Sequence, residues 1–238
     1  MIFFEKTYPE PPQLEEIRNK KDKLNMGQDI KKQLRRDFHC KCYLCERVFD
    51  MSHDCLQIEH FAPKTLRAKE NLIRKYNWSN LFLACPTCNQ RKASLEPLLN
   101  PIVKDENIEK KIFFIFHLDH NLKKKIEIKA RTNDIEVLNT VSLLNRIYNG
   151  KKDKDSDEDY KLEEASSGLR DGLCDEMHTF RSLLSKCIDT ESEEIKERFL
   201  VSIKNELSKS SQFTAFKRYF VRSNPQYQEF IQYIQDED

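Results

Sequence analysis

Apolar residues between positions 14 and 38 stand singly among charged ones, as on one face of an amphipathic helix. Gly27 falls inside this stretch, so we expect a helix that is interrupted near it. Prolines at positions 9, 11 and 12 disfavour helix before it. Residues 8–12 are therefore expected to form an extended, non-helical lead-in.

The second half of the chain changes from a strand pattern to a helical one. Residues 112–116 are continuously apolar and β-prone, and together with 125–128 they predict a hairpin. Helical spacing then begins at Asp134, whose side chain is a candidate N-cap. Residues 151–159 are almost wholly charged and predict a solvated loop. Further helices are predicted at 162–187, 193–207 and 213–220, with a candidate last helix in the tail, 225–238.

Composition and charge narrow the class of protein. Charged residues make up 34 % of the chain, but 15 Phe and 8 Tyr suffice to build a core, which argues against a wholly disordered chain. Residues 1–100 carry 18 Lys and Arg against 13 Asp and Glu, a net charge of +5. Residues 101–238 carry 23 against 27, a net charge of −4. A polyanion is therefore expected to bind the first part, although its basic stretches also suit solvated helix faces.

Targeting signals are not evident in the sequence. No segment approaches the roughly 18 apolar residues that a membrane span needs, and residues 1–10 lack the apolar stretch of a signal peptide. We therefore expect a cytoplasmic protein. In a reducing compartment its eight cysteines are not expected to form disulfides, and metal binding better explains paired ones.

Four of the cysteines form two C-x2-C pairs about forty residues apart, Cys42 with Cys45 and Cys85 with Cys88. Each pair can present two thiolates to one ion. Two pairs complete the tetrahedral site of a structural Zn2+, which leaves no position open for chemistry. The rival ligands are Cys40, Cys55, His39 and His53.

The other cysteines and histidines have simpler interpretations. Cys42 is preferred to Cys40 because the spacing Cys40-Lys-Cys42 is too short for the usual turn. Cys174 and Cys187 lie in helical pattern and are expected to be small buried residues. His39 and His53 are expected to lie at the surface or near the zinc site without binding the ion.

An acidic residue and a histidine lie side by side between the Cys pairs, as Glu59-His60. Adjacent side chains on a strand point to opposite faces, and such a pair alone is more often structural than catalytic. Here Asn80 precedes the second Cys pair, and Asn89 and Lys92 follow it at a spacing that shares one helix face. This combination favours a catalytic site.

The order C-x2-C, Glu-His-x-x-Pro, Asn-Leu and C-x2-C-Asn-x-x-Lys over residues 42–92 resembles the HNH endonucleases. That family folds as a β-hairpin followed by a helix around one divalent cation, and a subset carries a four-cysteine frame. The resemblance covers about a fifth of the chain. It implies an α+β fold, in which a small ββα-metal nuclease core with zinc-binding Cys pairs is surrounded by mostly helical N- and C-terminal segments.

The resemblance implies a role for each matched residue. His60 corresponds to the general base that takes a proton from the attacking water. Glu59 corresponds to a metal ligand that is more often Asp in the family, and Asn89 to a second metal ligand. Asn80 corresponds to the loop residue that orients the base, and Lys92 to a basic helix residue that contacts phosphate.

Phosphodiester hydrolysis needs an activated water and a charge sink for the phosphate oxygens. Imidazole suits the first requirement, and a hard cation with open coordination positions suits the second. We therefore expect Mg2+ or Mn2+ beside the structural Zn2+.

Nucleic-acid contacts are expected in two places, the linker 61–78, which should form a long loop between two strands, and the helix after the second Cys pair. Trp78 is expected to pack in the interior, and the linker cations also suit mere solvation of the loop. The basic residues concerned are Lys64, Arg67, Lys69, Arg74, Lys75, Arg91 and Lys92.

Residues outside the motif resemble, with less specificity, the PtuB-type HNH proteins of bacterial antiphage defence (Septu systems and retron-associated relatives). The resemblance is carried by residues 1–6, 98–101 and 138–146, and by the hairpin. It implies a PtuA-like ATPase partner that holds and regulates the nuclease, with the acidic C-terminal helices as docking surface. The simpler interpretation is a helical cap that only covers the core.

We therefore expect three segments. These are an N-terminal extended lead-in and helix over 1–38, a nuclease core with the zinc frame over 39–102, and a hairpin plus helical C-terminal region over 103–238.

The expected function is a metal-dependent HNH endonuclease, the effector nuclease of an antiphage complex, with DNA favoured as substrate. RNA, including tRNA, stays open, because base and metal chemistry neither requires nor forbids a 2′-hydroxyl. The alternative is a zinc-ribbon nucleic-acid-binding or assembly module without chemistry, which has no need of Glu59, His60 and Asn89 together.

Overall fold

The computed structural model describes residues 1–20, 27–50, 55–66, 69–118, 124–150 and 157–234. Its α-helices are α1 (Pro12–Lys20), α2 (Gln28–Asp37), α3 (Leu72–Lys75), α4 (Pro86–Lys92), α5 (Ile108–Lys111), α6 (Ile135–Asn149), α7 (Asp157–Asp189), α8 (Glu193–Leu207) and α9 (Thr214–Ser223). Its strands are β1 (Gln57–His60), β2 (Thr65–Leu66), β3 (Lys69–Glu70), β4 (Leu81–Ala84), β5 (Ile112–Leu118) and β6 (Lys124–Ala130). Short 3-10 helices cover Trp78–Asn80, Lys104–Glu106 and Pro225–Tyr233. The fold is α+β, as expected.

The strands β1 and β4 pair antiparallel and carry the helix α4 directly after them, which gives the ββα order. Glu59 lies opposite Phe82 in this pair, and His60 lies opposite Leu81. All four residues of β4 are buried, whereas β1 is partly exposed. The hydrophobic strand therefore anchors the polar one at the surface of the core.

The linker between β1 and β4 is more structured than expected. The sequence predicted one long loop, but the structure places β2, β3, α3 and a 3-10 helix in it. Two-residue strands and a one-turn helix have no detectable periodicity, so the pattern could not reveal them. Trp78 is buried, as predicted, and its Nε1 donates to the Thr7 carbonyl at 2.9 Å.

The N-terminal helix is divided in two, and the prediction of a break near Gly27 is confirmed, because Gly27 occupies the N-cap position of α2. The prediction that residues 8–12 are all non-helical is wrong at Pro12, which is the first residue of α1. Proline fits there because the first helical residue needs no N–H partner.

The C-terminal predictions agree well with the structure. The hairpin forms from β5 and β6, and α8 has the predicted bounds. Asp134 occupies the N-cap position of α6, but its side chain makes no capping hydrogen bond. Helix α7 begins at Asp157, inside the segment that was predicted to be a charged loop. In the tail, Pro225–Tyr233 form a 3-10 helix. Residues 151–156 and 235–238 lie outside the described part of the chain.

Two hydrophobic clusters hold these elements together. The larger one runs from the N-terminal residues through the β1–β4 pair to β5, β6 and α6, and the smaller one joins α7, α8, α9 and the last 3-10 helix. Among the described residues, no helix is long and apolar enough to cross a bilayer.

Two buried charges tie the first Cys pair to the C-terminal helices. Lys41 Nζ donates to the Lys209 carbonyl at 3.0 Å and to Thr214 Oγ1 at 3.1 Å. Glu46 Oε2 accepts from the Ala215 backbone N–H at 3.2 Å and lies 3.5 Å from Lys41 Nζ. The turn that carries Cys42 and Cys45, called the cysteine turn below, thus packs against α9.

Candidate active site

The four predicted cysteines converge on one point. The sulfur atoms of Cys42, Cys45, Cys85 and Cys88 all lie within 4.8 Å of one another, and all four residues are buried. Tetrahedral zinc with bonds of about 2.3 Å sets sulfurs about 3.8 Å apart, so the cluster fits this ion with little adjustment. Cys40 and Cys55 are not part of this cluster, and His53 lies outside the described residues.

Hydrogen bonds among the four thiols shift the pKa values of three of them in different directions. Hydrogen bonding with Cys42 raises the pKa of Cys45 and Cys88 well above the usual thiol value, while hydrogen bonding with Cys42 lowers the pKa of Cys85. One thiolate is therefore stabilised by its protonated neighbours. A dication removes this competition, because it stabilises all four thiolates at once.

An open cleft of about 330 Å³ lies where β1 meets α4. The sequence-predicted residues Glu59, His60, Asn89 and Lys64 border it. The structure thus brings together the candidate base, both candidate cation ligands and one exposed cation. The remaining lining residues are Ile58, Pro63, Thr65, Ala93 and Ser94.

The Glu59 carboxylate is buried and bonded at both oxygens. Its Oε1 lies 2.8 Å from Lys92 Nζ, and its Oε2 accepts from the Tyr43 hydroxyl at 3.2 Å. Burial raises the pKa of Glu59, whereas Lys92 and Tyr43 oppose this shift. Both donors thus favour the ionised carboxylate, which is the form that binds a cation.

The His60 ring is oriented by a backbone carbonyl. Its Nε2 lies 3.1 Å from the Lys75 carbonyl oxygen. Since a carbonyl can only accept, Nε2 carries the proton and Nδ1 keeps its lone pair. Burial lowers the pKa of His60, so the ring is a neutral acceptor of protons at physiological pH.

Asn80 supports this arrangement indirectly. The sequence predicted that it orients the base, but within the described part of the chain its side chain bonds to the backbone of Ala62 and Arg74 and not to the His60 ring. Its Oδ1 accepts from the Ala62 N–H at 2.7 Å, and its Nδ2 donates to the carbonyls of Ala62 and Arg74 at 2.9 and 2.8 Å. Asn80 therefore holds together the two ends of the linker, one of which leads to the Lys75 carbonyl.

Asn89 is oriented by a residue of the facing strand. Its Nδ2 donates to Gln57 Oε1 at 2.9 Å. Because this contact uses Nδ2, it leaves the amide oxygen Oδ1 of Asn89 available to bind a cation.

The basic residues predicted to contact nucleic acid fall into two groups. Lys64 and Lys69 are exposed, whereas Arg67 lies outside the described residues. Arg74 is 3.4 Å from Glu96, and Lys75 is 2.8 Å from Glu70, so acidic neighbours partly offset these two cations.

Arg91 and Lys92 are buried, with only 4 % and 1 % of their surfaces exposed. Arg91 donates to the Ile147 carbonyl and to Ser166 Oγ, both at 2.6 Å, and so joins α4 to α6 and α7. Lys92 donates to the His60 carbonyl at 3.1 Å in addition to its pairing with Glu59. The prediction that these two residues contact nucleic acid does not fit these positions, because their cationic groups serve internal contacts.

Sequence reasoning missed three groups that hold the site: the Tyr43 hydroxyl, the Gln57 amide and the Lys75 carbonyl. Gln57 had a signal, since it shares a strand face with Glu59 two residues on. Tyr43 had a weaker one, its place inside the first Cys pair. The Lys75 carbonyl had no sequence signal, because every residue has a backbone carbonyl and residue identity does not show which one makes a contact.

Comparison with known proteins agrees with this geometry. Residues 42–95 match the family described as HNH endonuclease. The chain is also similar to the Septu protein PtuB of Bacillus thuringiensis, with 32 % identity over 112 residues. These residues make up 45 % of this chain and 39 % of that protein, so the chain spans about two fifths of the length of the curated relative it matches. No solved structure matches the chain.

Proposed function

We propose that this protein is a metal-dependent endonuclease that hydrolyses phosphodiester bonds of nucleic acid, with DNA as the favoured substrate. The observation that carries the proposal is the cleft bordered by Glu59, His60 and Asn89 within a segment matched to the HNH endonucleases. A zinc-ribbon module without chemistry would have no need to bury a carboxylate and fix a neutral imidazole beside it.

Each residue has a distinct part in the proposed reaction. His60 Nδ1 takes the proton of the attacking water, because its other nitrogen is held by the Lys75 carbonyl. Glu59 and Asn89 Oδ1 would hold a Mg2+ or Mn2+ ion, which supplies charge stabilisation for the phosphate oxygens and the leaving group. Lys92 keeps Glu59 ionised, and exposed Lys64 provides a contact for the substrate backbone.

Replacing Asn80 with alanine should lower the cleavage rate about 10- to 100-fold. Asn80 holds the segment whose Lys75 carbonyl orients His60, and a small displacement of a catalytic base slows the reaction by about this factor. Three backbone groups lose their partner, which should also cost about 2–4 kcal/mol of stability. Cleavage rate and the urea midpoint measure the two effects. Asn77→Ala is the matched control, since Asn77 is an exposed residue of the same linker that only caps a 3-10 helix. Equal rates in the two variants would contradict the role of Asn80.

The substrate and metal are tested by incubating the protein with plasmid DNA, single-stranded DNA and RNA in Mg2+ or Mn2+. We expect cleavage of DNA that stops when the loosely held cation is chelated while zinc is retained. Preferential cleavage of RNA would replace the DNA assignment within the same mechanism. Binding of nucleic acid with no cleavage under any condition would favour the zinc-ribbon module.

We further propose a role as the effector nuclease of an antiphage defence complex with a PtuA-like ATPase. The similarity to Septu protein PtuB supports this role. The helices α7 and α8 offer a docking surface, because Ile188, Ile195 and Val201 expose 42–55 % of their surfaces. Running the cleavage assay with and without the ATPase tests it, and Val201→Glu should weaken co-purification without changing zinc content.

A further inference from the structure

The carboxylate of Glu59 receives a hydrogen bond from a residue of the zinc frame. Tyr43 lies between Cys42 and Cys45, and its hydroxyl donates to Glu59 Oε2 at 3.2 Å. Tyr43 is completely buried, and Glu59 is only 4 % exposed. The contact therefore joins the turn that holds the four-cysteine cluster directly to the candidate cation ligand.

The position of the Tyr43 hydroxyl is set by its surroundings. The Tyr43 backbone N–H donates to the Leu83 carbonyl at 3.0 Å, which ties the cysteine turn to β4. Its ring packs on Phe82 and Phe61, with centroid distances of 5.0 and 6.5 Å. Phe82 is also the partner of Glu59 across the two strands. The Tyr43 backbone, its ring and the Glu59 carboxylate thus all contact the β1–β4 pair or belong to it.

Packing alone does not account for the hydroxyl group. Phenylalanine would fill the same space without burying a polar atom, and an unpaired buried hydroxyl costs free energy. The hydroxyl is satisfied by Glu59. An ionised carboxylate has about four lone-pair sites, so the bonds from Tyr43 and Lys92 leave others open for a cation.

We propose that Tyr43 is a positioning residue that holds the Glu59 carboxylate for a divalent cation and so couples the four-cysteine site to the catalytic one. This inference rests on the proposed function, because it requires Glu59 to be a cation ligand. Groups that hydrogen-bond a ligating side chain fix its orientation, and their loss typically weakens metal binding about 10- to 100-fold. A turn shaped by four thiolates is well suited to hold such a group still.

The test compares Tyr43→Phe with Tyr148→Phe in the full chain. Tyr148 is a matched control, because it is also buried and its hydroxyl donates to the Cys45 carbonyl at 2.8 Å, next to the same cluster but away from Glu59. Mn2+ binding is measured by the electron paramagnetic resonance signal of free Mn2+, and cleavage is measured over a range of Mn2+ concentrations. Zinc content and melting temperature are recorded for each variant.

We expect Tyr43→Phe to bind Mn2+ about 10- to 100-fold more weakly, with normal zinc content and a cleavage rate that recovers at saturating Mn2+. Tyr148→Phe should bind Mn2+ as the unmodified protein does. Unchanged Mn2+ binding in Tyr43→Phe, or an equal loss in both variants, would overturn the inference while leaving the nuclease proposal intact. Absence of Mn2+ binding in the unmodified protein would overturn the cation site itself, and the role of Tyr43 with it.

Discussion

Replacing His60 with alanine is expected to lower the rate of phosphodiester cleavage by a factor of about 10²–10⁴, the usual contribution of a general base. The reason is that His60 is held by the Lys75 carbonyl so that Nδ1 alone remains basic. Cleavage of labelled substrate at saturating Mg2+ or Mn2+ measures the effect. Zinc content should not change, because the ring is not part of the four-cysteine cluster.

His178→Ala is the control for this experiment, since His178 is an exposed residue of α7 outside the cleft. It should cleave at the rate of the unmodified protein. An unchanged cleavage rate in His60→Ala would contradict the assignment of His60 as the general base. Residues 42–95 would then be interpreted as a binding module. A loss of rate accompanied by a loss of folded protein would call for His60→Gln, which keeps a polar side chain of similar reach.

Replacing Cys85 with serine should remove the zinc ion expected at the four-cysteine cluster and destabilise the surrounding segment, residues 39–102. Zinc content should fall from about one ion per chain to nearly none, since the tetrahedral site needs all four thiolates. Structural zinc contributes on the order of 10–16 kcal/mol in small domains, so loss of the ion should expose the core to unfolding. Metal analysis and thermal unfolding measure the two effects.

Cys40→Ser tests the choice of ligands in the same assay. Cys40 lies two residues before Cys42, but its sulfur is 3.8 Å from an Arg35 nitrogen rather than in the cluster. This variant should keep its zinc and its melting temperature. Zinc that persists in Cys85→Ser, or that leaves in Cys40→Ser, would contradict the ligand set.

The elements that could be predicted are those long enough to show a regular pattern of apolar residues in the local sequence. The hairpin of β5 and β6 follows from its β-prone apolar residues, and the bounds of α8 follow from helical spacing, both of which the local sequence displays. The division of the linker into β2, β3 and α3 does not, because each of these elements is too short to show a period. Their formation depends on contacts with neighbouring elements.

The candidate site, too, was predictable in part: the sequence indicated its residues but not which of them are buried. The cysteine spacing and the order of Glu59, His60 and Asn89 are local, so the sequence indicated which residues would meet. The burial of Arg91 is not local, because it depends on carbonyl and hydroxyl groups supplied by α6 and α7. A charged side chain near a phosphate-binding motif suggests a substrate contact until the fold shows that it is buried.

The inward-facing Arg91 and Lys41 also bear on how this protein can change during evolution. Their charges are compensated by carbonyl and hydroxyl groups from residues 147, 166, 209 and 214, far along the chain. A recombination event that moved residues 39–102 alone into another protein would remove these carbonyl and hydroxyl partners. Lys41 would keep Glu46, but Arg91 would lose its acceptors on α6 and α7, at a cost of several kcal/mol. Residues 39–102 are therefore not expected to fold well without α6, α7 and α9. They are expected to be inherited together with these helices, and a change of partner must arise on the outer faces of those helices.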